Sequence, residues 1–331
     1  MKIALLGAGR IGRVHARAIS DHPTAELASV SDAFSAAAES LASEYGVPVL
    51  SADDVFSSDD IDGVLIASST PTHSDFLERA ARSGKAVLCE KPIDLDLVRT
   101  RHCLAVLEEY PVTCALGFNR RHDPQFSALK TAMDSGRIGK LEMITITSRD
   151  PEPPPAEYIA ASGGIFRDMS IHDLDMAAWL LGEPVTEVTV SGSCLVDPAI
   201  GEAGDLDSVL INLKSASGKL VNISNSRRAC YGYDQRIEVF GSKGMLEARN
   251  ETDTQLRFTG AEGVVDERPQ WFFLERYSRA YAQEVADFVA AWQENRAPLA
   301  GAQDGLAALE LAEAALISYR EGRRVLLSEI R

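Results

Sequence analysis

The sequence predicts an α/β protein in two parts: a doubly wound parallel sheet, then an α+β domain with an open, largely antiparallel sheet. Three observations carry this. Short apolar segments alternate with helix-period segments through about residue 116. A Gly-x-Gly-x-x-Gly turn stands directly behind the first apolar segment. Beyond Gly117-Phe118 the pattern changes to strand-period alternation with Gly- and Ser-rich connections. At 331 residues the chain is too long for one ordinary core. The boundary is placed so that 1–119 form the first domain and 120–331 the second.

The first strand, 2–6, runs into Gly7-Ala8-Gly9-Arg10-Ile11-Gly12, after which Ile11, Val14 and Ala18 recur at helical spacing. Strand, glycine turn and helix together are the context that makes this motif a dinucleotide-binding, Rossmann-type turn. Gly7 permits the tight turn, Gly9 lets the backbone approach a pyrophosphate, and Gly12 allows close helix–strand packing. The helix N-terminus, opened by Arg10 and Ile11, faces the phosphate charge. A second strand, 27–31, ends at Asp32, twenty residues beyond Gly12. A carboxylate at that spacing accepts hydrogen bonds from the adenosine ribose and repels a 2′-phosphate, which selects NAD over NADP.

Buried strands at 63–68, 86–89 and 112–116 and helices at 72–83 and 97–110 continue the alternation. Ligands on such sheets bind at the carboxyl ends of the strands. Those ends carry Ser68, Thr70 and His73 after one strand and Glu90-Lys91-Pro92 after the next, and all but Pro92 are assigned to the cofactor side. A lysine after a buried strand is most often a solvated charge. At the ligand end of this sheet, the Lys91 ammonium suits a hydrogen bond to a substrate hydroxyl that acquires alkoxide character. His73 and His15 sit at a helix start and on a helix face, where packing or capping is the better account of each.

In the second half, a helix at 124–134 precedes strands at 141–147, 185–190, 209–213, 220–224 and 236–240. Residues 215–219 and 241–244 are hairpin connections, which imply antiparallel pairing and a face open to a partner subunit. The run Pro151-Glu152-Pro153-Pro154-Pro155 is barred from helix and central strand; it is a stiff spacer or a loop edging a cleft. Two helices finish the chain, the last with an apolar stripe of Leu309, Ala312, Leu316 and Tyr319.

The most informative run for chemistry is Ser162-Gly163-Gly164-Ile165-Phe166-Arg167-Asp168-Met169-Ser170-Ile171-His172-Asp173. On a helix, Asp168 and His172 project from one face a turn apart, the disposition of a general base and the carboxylate that tunes it. A helix-entry cap and a core histidine would look the same singly. The two glycines ahead leave the backbone open to close approach.

Composition excludes several classes. The net charge of −16 argues against nucleic acid or an anionic membrane as partner and suits a neutral small molecule. No apolar run nears the roughly 20 residues of a membrane span. Met1 to Gly7 enters a strand at once, without signal-peptide anatomy. Five scattered cysteines without a C-x-x-C pair read as free thiols of a reducing cytoplasm, with no zinc site.

The glycine turn with Asp32, the run Glu90-Lys91-Pro92 and Asp168-x-x-x-His172 together resemble the glucose–fructose oxidoreductase and inositol dehydrogenase family. Residues 117–124 (Gly-Phe-Asn-Arg-Arg-His-Asp-Pro), 148–151 (Ser-Arg-Asp-Pro) and 231–236 (Tyr-Gly-Tyr-Asp-Gln-Arg) are similar to its inositol 2-dehydrogenase branch. The similarity runs nearly end to end. It implies a Rossmann domain, a C-terminal open-sheet domain and a homotetramer formed through that sheet. It implies oxidation of a cyclic polyol, myo-inositol to 2-keto-myo-inositol, with NAD. By the same resemblance Lys91, Asp168 and His172 are the catalytic trio, and Asn119, Arg120, Asp150 and Tyr233 line the polyol pocket. His122 stands where relatives carry Tyr or Phe, adding a titratable group, and Asp150 stands where some carry Asn. Another polyol or sugar, an NAD-dependent glycosidase on the same fold and a non-catalytic nucleotide sensor remain open, although the last should lack Lys91 or His172.

Overall fold

Residues 1–155, 158–159 and 162–330 are described by the computed structural model. The chain forms two compact units: Met1–Asp123 with Ser278–Leu309, and Pro124–Tyr277 with Glu310–Arg331. The sequence places one boundary near 119, whereas the chain re-enters the first unit at Ser278. The reason is packing: helix Ser278–Glu294 contributes Val285, Phe288 and Val289 to the same apolar cluster as Ile3, Leu5, Ile19 and Leu41.

The first unit is built on β1 (Lys2–Leu6), β2 (Glu26–Ser31), β3 (Gly63–Ile66), β4 (Ala86–Glu90) and β5 (Cys114–Gly117), all parallel, in the order β2-β1-β3-β4-β5. Helices cover both faces, so the central strands are apolar without alternation, and Ile3, Ala4, Leu5, Val64, Leu65 and Ile66 are all buried. The helices are α1 (Arg10–Ser20), α2 (Ser35–Tyr45), α3 (Ala52–Ser57), α4 (His73–Arg82) and α5 (Leu97–Glu109). Ser51 and Asp96 cap α3 and α5, accepting from Asp54 N at 3.1 Å and Arg99 N at 2.8 Å. A single parallel bridge, Val30 to Val49, marks a rudimentary strand outside β2. Counting it, the spatial order is the 3-2-1-4-5-6 of dinucleotide-binding sheets, with the switch point between β1 and β3.

The second unit opens with α6 (Pro124–Asp134), followed by β6 (Leu141–Arg149), β7 (Val185–Ser193), β8 (Ser208–Ser215), β9 (Leu220–Ser226), β10 (Asp234–Gly241) and β11 (Gly244–Ala248). A separate hairpin, β12 (Arg257–Gly260) with β13 (Gly263–Asp266), and the short β14 (Val325–Leu326) complete it. The main sheet runs β11-β10-β6-β9-β8-β7-β14. All its pairings are antiparallel except β6 with β9. Along β8, Val209, Ile211, Leu213 and Ser215 are buried while the residues between them are not, as expected of a sheet with one covered face. In the last helix, Ala302–Glu321, Leu309 and Ala312 are buried as the apolar stripe predicts, but Tyr319 is 38% exposed. Ser318 takes the inward position instead, accepting from Val190 N at 3.0 Å and donating to Arg323 O at 2.6 Å. All five cysteines are free thiols. Among the described residues no helix is long and apolar enough to cross a membrane.

Candidate active site

In the first unit, the turn after β1 is as tight as glycines allow. Gly7 has φ +113°, and a Cβ there would lie 2.4 Å from the Ala67 carbonyl carbon. A Cβ on Gly12 would lie 2.0 Å from Gly7 O, so neither position admits a side chain. Gly9 has open space where its Cβ would be, and α1 starts behind it with no side-chain cap and no acid in its first turn. Exposed Gly9 and Arg10 thus leave the helix-end amides available to an anion. Asp32 closes the other side: its carboxylate accepts from Ala8 N at 2.6 Å and Phe34 N at 2.8 Å, which ties the end of β2 to the glycine turn. These features fit a dinucleotide.

After β3, Ser68 and Thr72 share a hydroxyl hydrogen bond of 2.6 Å, and Thr70 opens a short 3-10 turn. Buried His73 places its ring nitrogens 2.7 Å from Pro92 O and 3.0 Å from Ser68 O, fastening the chain ends behind β3 and β4 to each other. Glu90 ends β4 and Lys91, half-buried, follows it. Asn119 and Arg120 lie buried in a 3-10 turn, Asn119–His122, behind β5. His122 is buried too, and desolvation lowers its pKa to about 4. It is therefore neutral at physiological pH and does not supply the titrating group that its departure from Tyr or Phe suggests.

In the second unit, Gly163 and Gly164 both have φ +84°, a conformation that favours glycine. What approaches Gly164 is protein: its Cβ would sit 2.9 Å from an oxygen of Asp205, whose carboxylate accepts from Ile165 N at 2.9 Å. The helix begins with a π-helical stretch, Phe166–Ser170, before the α-helix Ile171–Leu181. The sequence motif suggests a plain α-helix across Asp168 and His172; the extra residue per turn in the π stretch lies where such bulges often accompany function. Asp168 accepts from Tyr158 Oη at 2.8 Å and from Arg227 Nη1 at 3.2 Å. Arg227, 1% exposed, also faces Asp205 at 3.6 Å. Beneath half-buried His172, Ser170 Oγ donates to Asn225 Oδ1 at 2.6 Å and Asn225 Nδ2 donates to Asp173 Oδ2 at 2.8 Å, all three buried. That network pins the helix carrying His172 onto β9.

Asp150 follows β6, its N–H donating to Ser226 O at 3.0 Å. Tyr233 precedes β10, buried edge-on against Tyr277 with centroids 5.9 Å apart. Buried Asp234 accepts from Tyr231 Oη at 2.6 Å, Arg236 Nε at 2.7 Å and Asn250 Nδ2 at 2.7 Å. Burial works to raise its pKa, but these donors outweigh it and hold the carboxyl below its usual range. Arg227 and Asn225 were not singled out from the sequence. The signal was there: the period-2 pattern of β9 puts Asn225 on the buried parity of Val221 and Ile223, and Arg227, directly after the strand, continues it.

A dinucleotide-type parallel sheet and an open sheet with an acid and an imidazole at a helix entry define a two-domain nicotinamide-dependent oxidoreductase. Residues 1–118 match the oxidoreductase family with an NAD-binding Rossmann fold, and residues 126–247 match the GFO/IDH/MocA C-terminal domain. The chain belongs to the GFO/IDH/MocA oxidoreductase family. It is 52% identical over 325 residues to an inositol 2-dehydrogenase of Rhizobium meliloti, covering 98% of each chain. It is 43% identical to a myo-inositol 2-dehydrogenase of Thermotoga maritima, covering 100% of this chain and 99% of that one. It also superposes on scyllo-inositol dehydrogenase of Lactobacillus casei, solved with bound NAD(H) and scyllo-inositol, with a TM-score of 0.91 at 29% identity and 99% coverage of each chain.

Proposed function

We propose that this chain oxidises one secondary alcohol of a cyclic polyol, converting myo-inositol to 2-keto-myo-inositol. The observation that carries the reading is similarity over essentially the whole chain to inositol 2-dehydrogenases, together with Lys91, Asp168 and His172 at the motif positions. Residues 1–119, joined by the returning segment Ser278–Leu309, serve the cofactor, and the remainder of 120–331 serves the substrate and the oligomer. Bound NAD supplies the hydride acceptor. Gly7, Gly9, Arg10, Ile11 and Gly12 receive the pyrophosphate, Asp32 the adenosine ribose, and Ser68, Thr70, Glu90 and Lys91 the nicotinamide end. His73 acts through the loops it holds. His172 takes the hydroxyl proton as the carbinol hydrogen departs as hydride. Asp168, steadied by Arg227 and Tyr158, favours the cationic imidazole as that proton arrives. Lys91 donates to the reacting oxygen and offsets its developing charge. Asn119, Arg120, Asp150 and Tyr233 read the remaining hydroxyls. The test is purified protein with NAD and a panel of inositols and sugars, following absorbance of the reduced nicotinamide. Reduction with myo-inositol above all others supports the reading; none with any inositol removes it. A second reading, preference for another isomer, is favoured by the scyllo-inositol 2-dehydrogenase (NAD(+)) of Bacillus subtilis, 35% identical over 331 residues.

Asp32→Ser should raise catalytic efficiency with NADP relative to NAD by roughly tenfold or more, because it removes a negative charge from the side of the ribose. Steady-state kinetics with both cofactors check this, and an unchanged ratio would take Asp32 out of cofactor choice.

The working form is a cytoplasmic homo-oligomer, a tetramer, assembled through the second sheet. Cross-strand register places Met245, Phe240, Met143 and Leu220 in one row across β11, β10, β6 and β9, each 38–49% exposed. A continuous apolar row of this kind on an otherwise charged protein suits a self-complementary contact. Phe240→Asp should shift the mass in sedimentation equilibrium to a smaller assembly; a mass unchanged from wild type would move the interface elsewhere.

A further inference from the structure

Behind Lys91 lies a largely buried cluster of which the proposed mechanism uses only Glu90. His15, on α1, is 1% exposed and its Nε2 lies 2.7 Å from Glu90 Oε1. Glu90 folds over Gly117, where a Cβ would lie 2.8 Å from Glu90 Oε2, so the glycine makes room for the carboxylate. Glu284, on helix Ser278–Glu294, is 2% exposed, and neither carboxyl oxygen has a protein hydrogen-bond partner. A polar atom from each of the three residues falls within 4.8 Å of the others. His15 Nδ1 is likewise buried without a protein partner.

Two ionised carboxylates this close, Glu284 buried and Glu90 half-buried, would be an expensive arrangement. A metal ion or a proton resolves it, and the spacing decides between them. Neighbouring donors around one tetrahedral zinc stand roughly 3.3 Å apart, given metal–ligand distances of about 2.0–2.1 Å. The 2.7 Å between His15 and Glu90 is a hydrogen bond. With the His15 Nε2–H donating to Glu90, Nδ1 is an acceptor lacking a donor. A protonated Glu284 is a donor lacking an acceptor. The two deficits are complementary in kind, and both belong to residues whose polar atoms cluster within 4.8 Å.

We propose that His15, Glu90 and Glu284 form a buried proton-sharing triad in which Glu284 stays a neutral acid, and that this triad positions Lys91. Its members come from the helix that follows the glycine turn, from the residue that precedes Lys91 and from the helix that re-enters the first unit. The charged and titratable groups around Glu284 are Glu90 from β4, His15 from α1 and Asp287 from its own helix. Tyr281 packs edge-on against His15 at 5.5 Å, and His122, from the 3-10 turn behind β5, has Asp287 and Arg121 as neighbouring charges. Burial first, then the charges of Glu90 and Asp287, push its carboxyl well above the usual range. Burial lowers the pKa of His122, Asp287 is an anion paired with Arg296 at 2.8 Å, and Arg121 is paired with Asp304 at 2.9 Å. That Lys91 acts on the reacting oxygen rests on the function proposed above; the protonation of Glu284 does not.

The test compares wild type with Glu284→Gln, the neutral isostere, and with His15→Leu. The infrared spectrum of wild type at neutral pH should show a protonated-carboxyl carbonyl band that Glu284→Gln lacks. The sign of the pH effect follows from linkage. A carboxyl whose folded pKa lies above its unfolded one binds a proton only in the folded state between the two, so stability falls as pH rises through that window. Glu284→Gln should therefore be at least as stable as wild type at neutral pH. Its advantage in the folded-to-unfolded ratio should grow by up to about tenfold per pH unit above the ordinary carboxyl range. Lys91 is read without turnover, by NMR titration of the 13C-methylated lysine, which should move in His15→Leu and stay in Glu284→Gln. In turnover, His15→Leu should lose about tenfold in kcat through misplacement of the ammonium, with less change in KM. Absence of the carboxyl band, or a pH-independent stability loss in Glu284→Gln, overturns the neutral acid. An unmoved Lys91 titration in His15→Leu overturns the positioning. If wild type oxidises no polyol while band and titration behave as stated, the triad stands and the proposed function falls.

Discussion

His172→Ala is expected to lower turnover at neutral pH by about 100-fold or more while leaving NAD affinity where it was. The size follows from the role: proton removal by a placed base contributes on the order of 10²–10⁴ in rate. Selectivity follows from the architecture. His172 belongs to the second unit, and the residues that fit the dinucleotide belong to the first. The substitution should also fold. Ser170, Asn225 and Asp173, which hold this helix to β9, are untouched, and alanine favours the helix. Kinetics, NAD titration and thermal denaturation separate the three expectations, and added imidazole should restore part of the lost rate. Near-wild-type turnover would remove His172 from the mechanism.

Lys91→Met should lower kcat by about 10²–10³, the scale on which one preorganised donor to a developing oxyanion acts. Methionine keeps an unbranched chain of similar reach without the ammonium, so packing behind β4 is spared. The loss should fall on kcat more than on KM for the polyol, because the interaction strengthens only as the hydroxyl becomes an alkoxide. A change confined to KM would make Lys91 a binding residue with no share in the chemistry.

The two halves were unequally legible in the sequence, for physical reasons. The first sheet was readable because strands buried on both faces are short apolar runs and the helices between them keep a 3.6 period. Gly7, Gly12 and Asp32 were readable because a turn pressed against neighbouring backbone admits no Cβ and leaves few residues to choose from. The Val49 strand was not, since a single bridge next to Pro48 leaves no periodic trace. In the second sheet five of the seven strands were visible, the short edge strands β11 and β14 were not, and neither was the parallel pairing of β6 with β9, because period 2 records a face and not a direction. The return of Ser278–Glu294 to the first unit was hidden for a similar reason: its apolar spacing says that it packs, not against what. The site divides along the same line. Asp168 and His172 were visible as a spaced pair, while Arg227, which holds Asp168, and Glu284, which faces Glu90, come from distant segments. His122 is titratable as a residue type, but its burial, which lowers its pKa, is invisible in the sequence.

The central claim is that this chain moves the hydrogen from one carbinol carbon of inositol to the coenzyme. It is tested most directly with myo-inositol carrying deuterium at C2 and with purified protein and NAD, the reduced coenzyme being analysed by mass spectrometry. The account predicts one deuterium in the reduced nicotinamide for each 2-keto-inositol formed, and no transfer with His172→Ala on the same time scale. Reduced coenzyme without deuterium, or a labelled inositol consumed without coenzyme reduction, would contradict it.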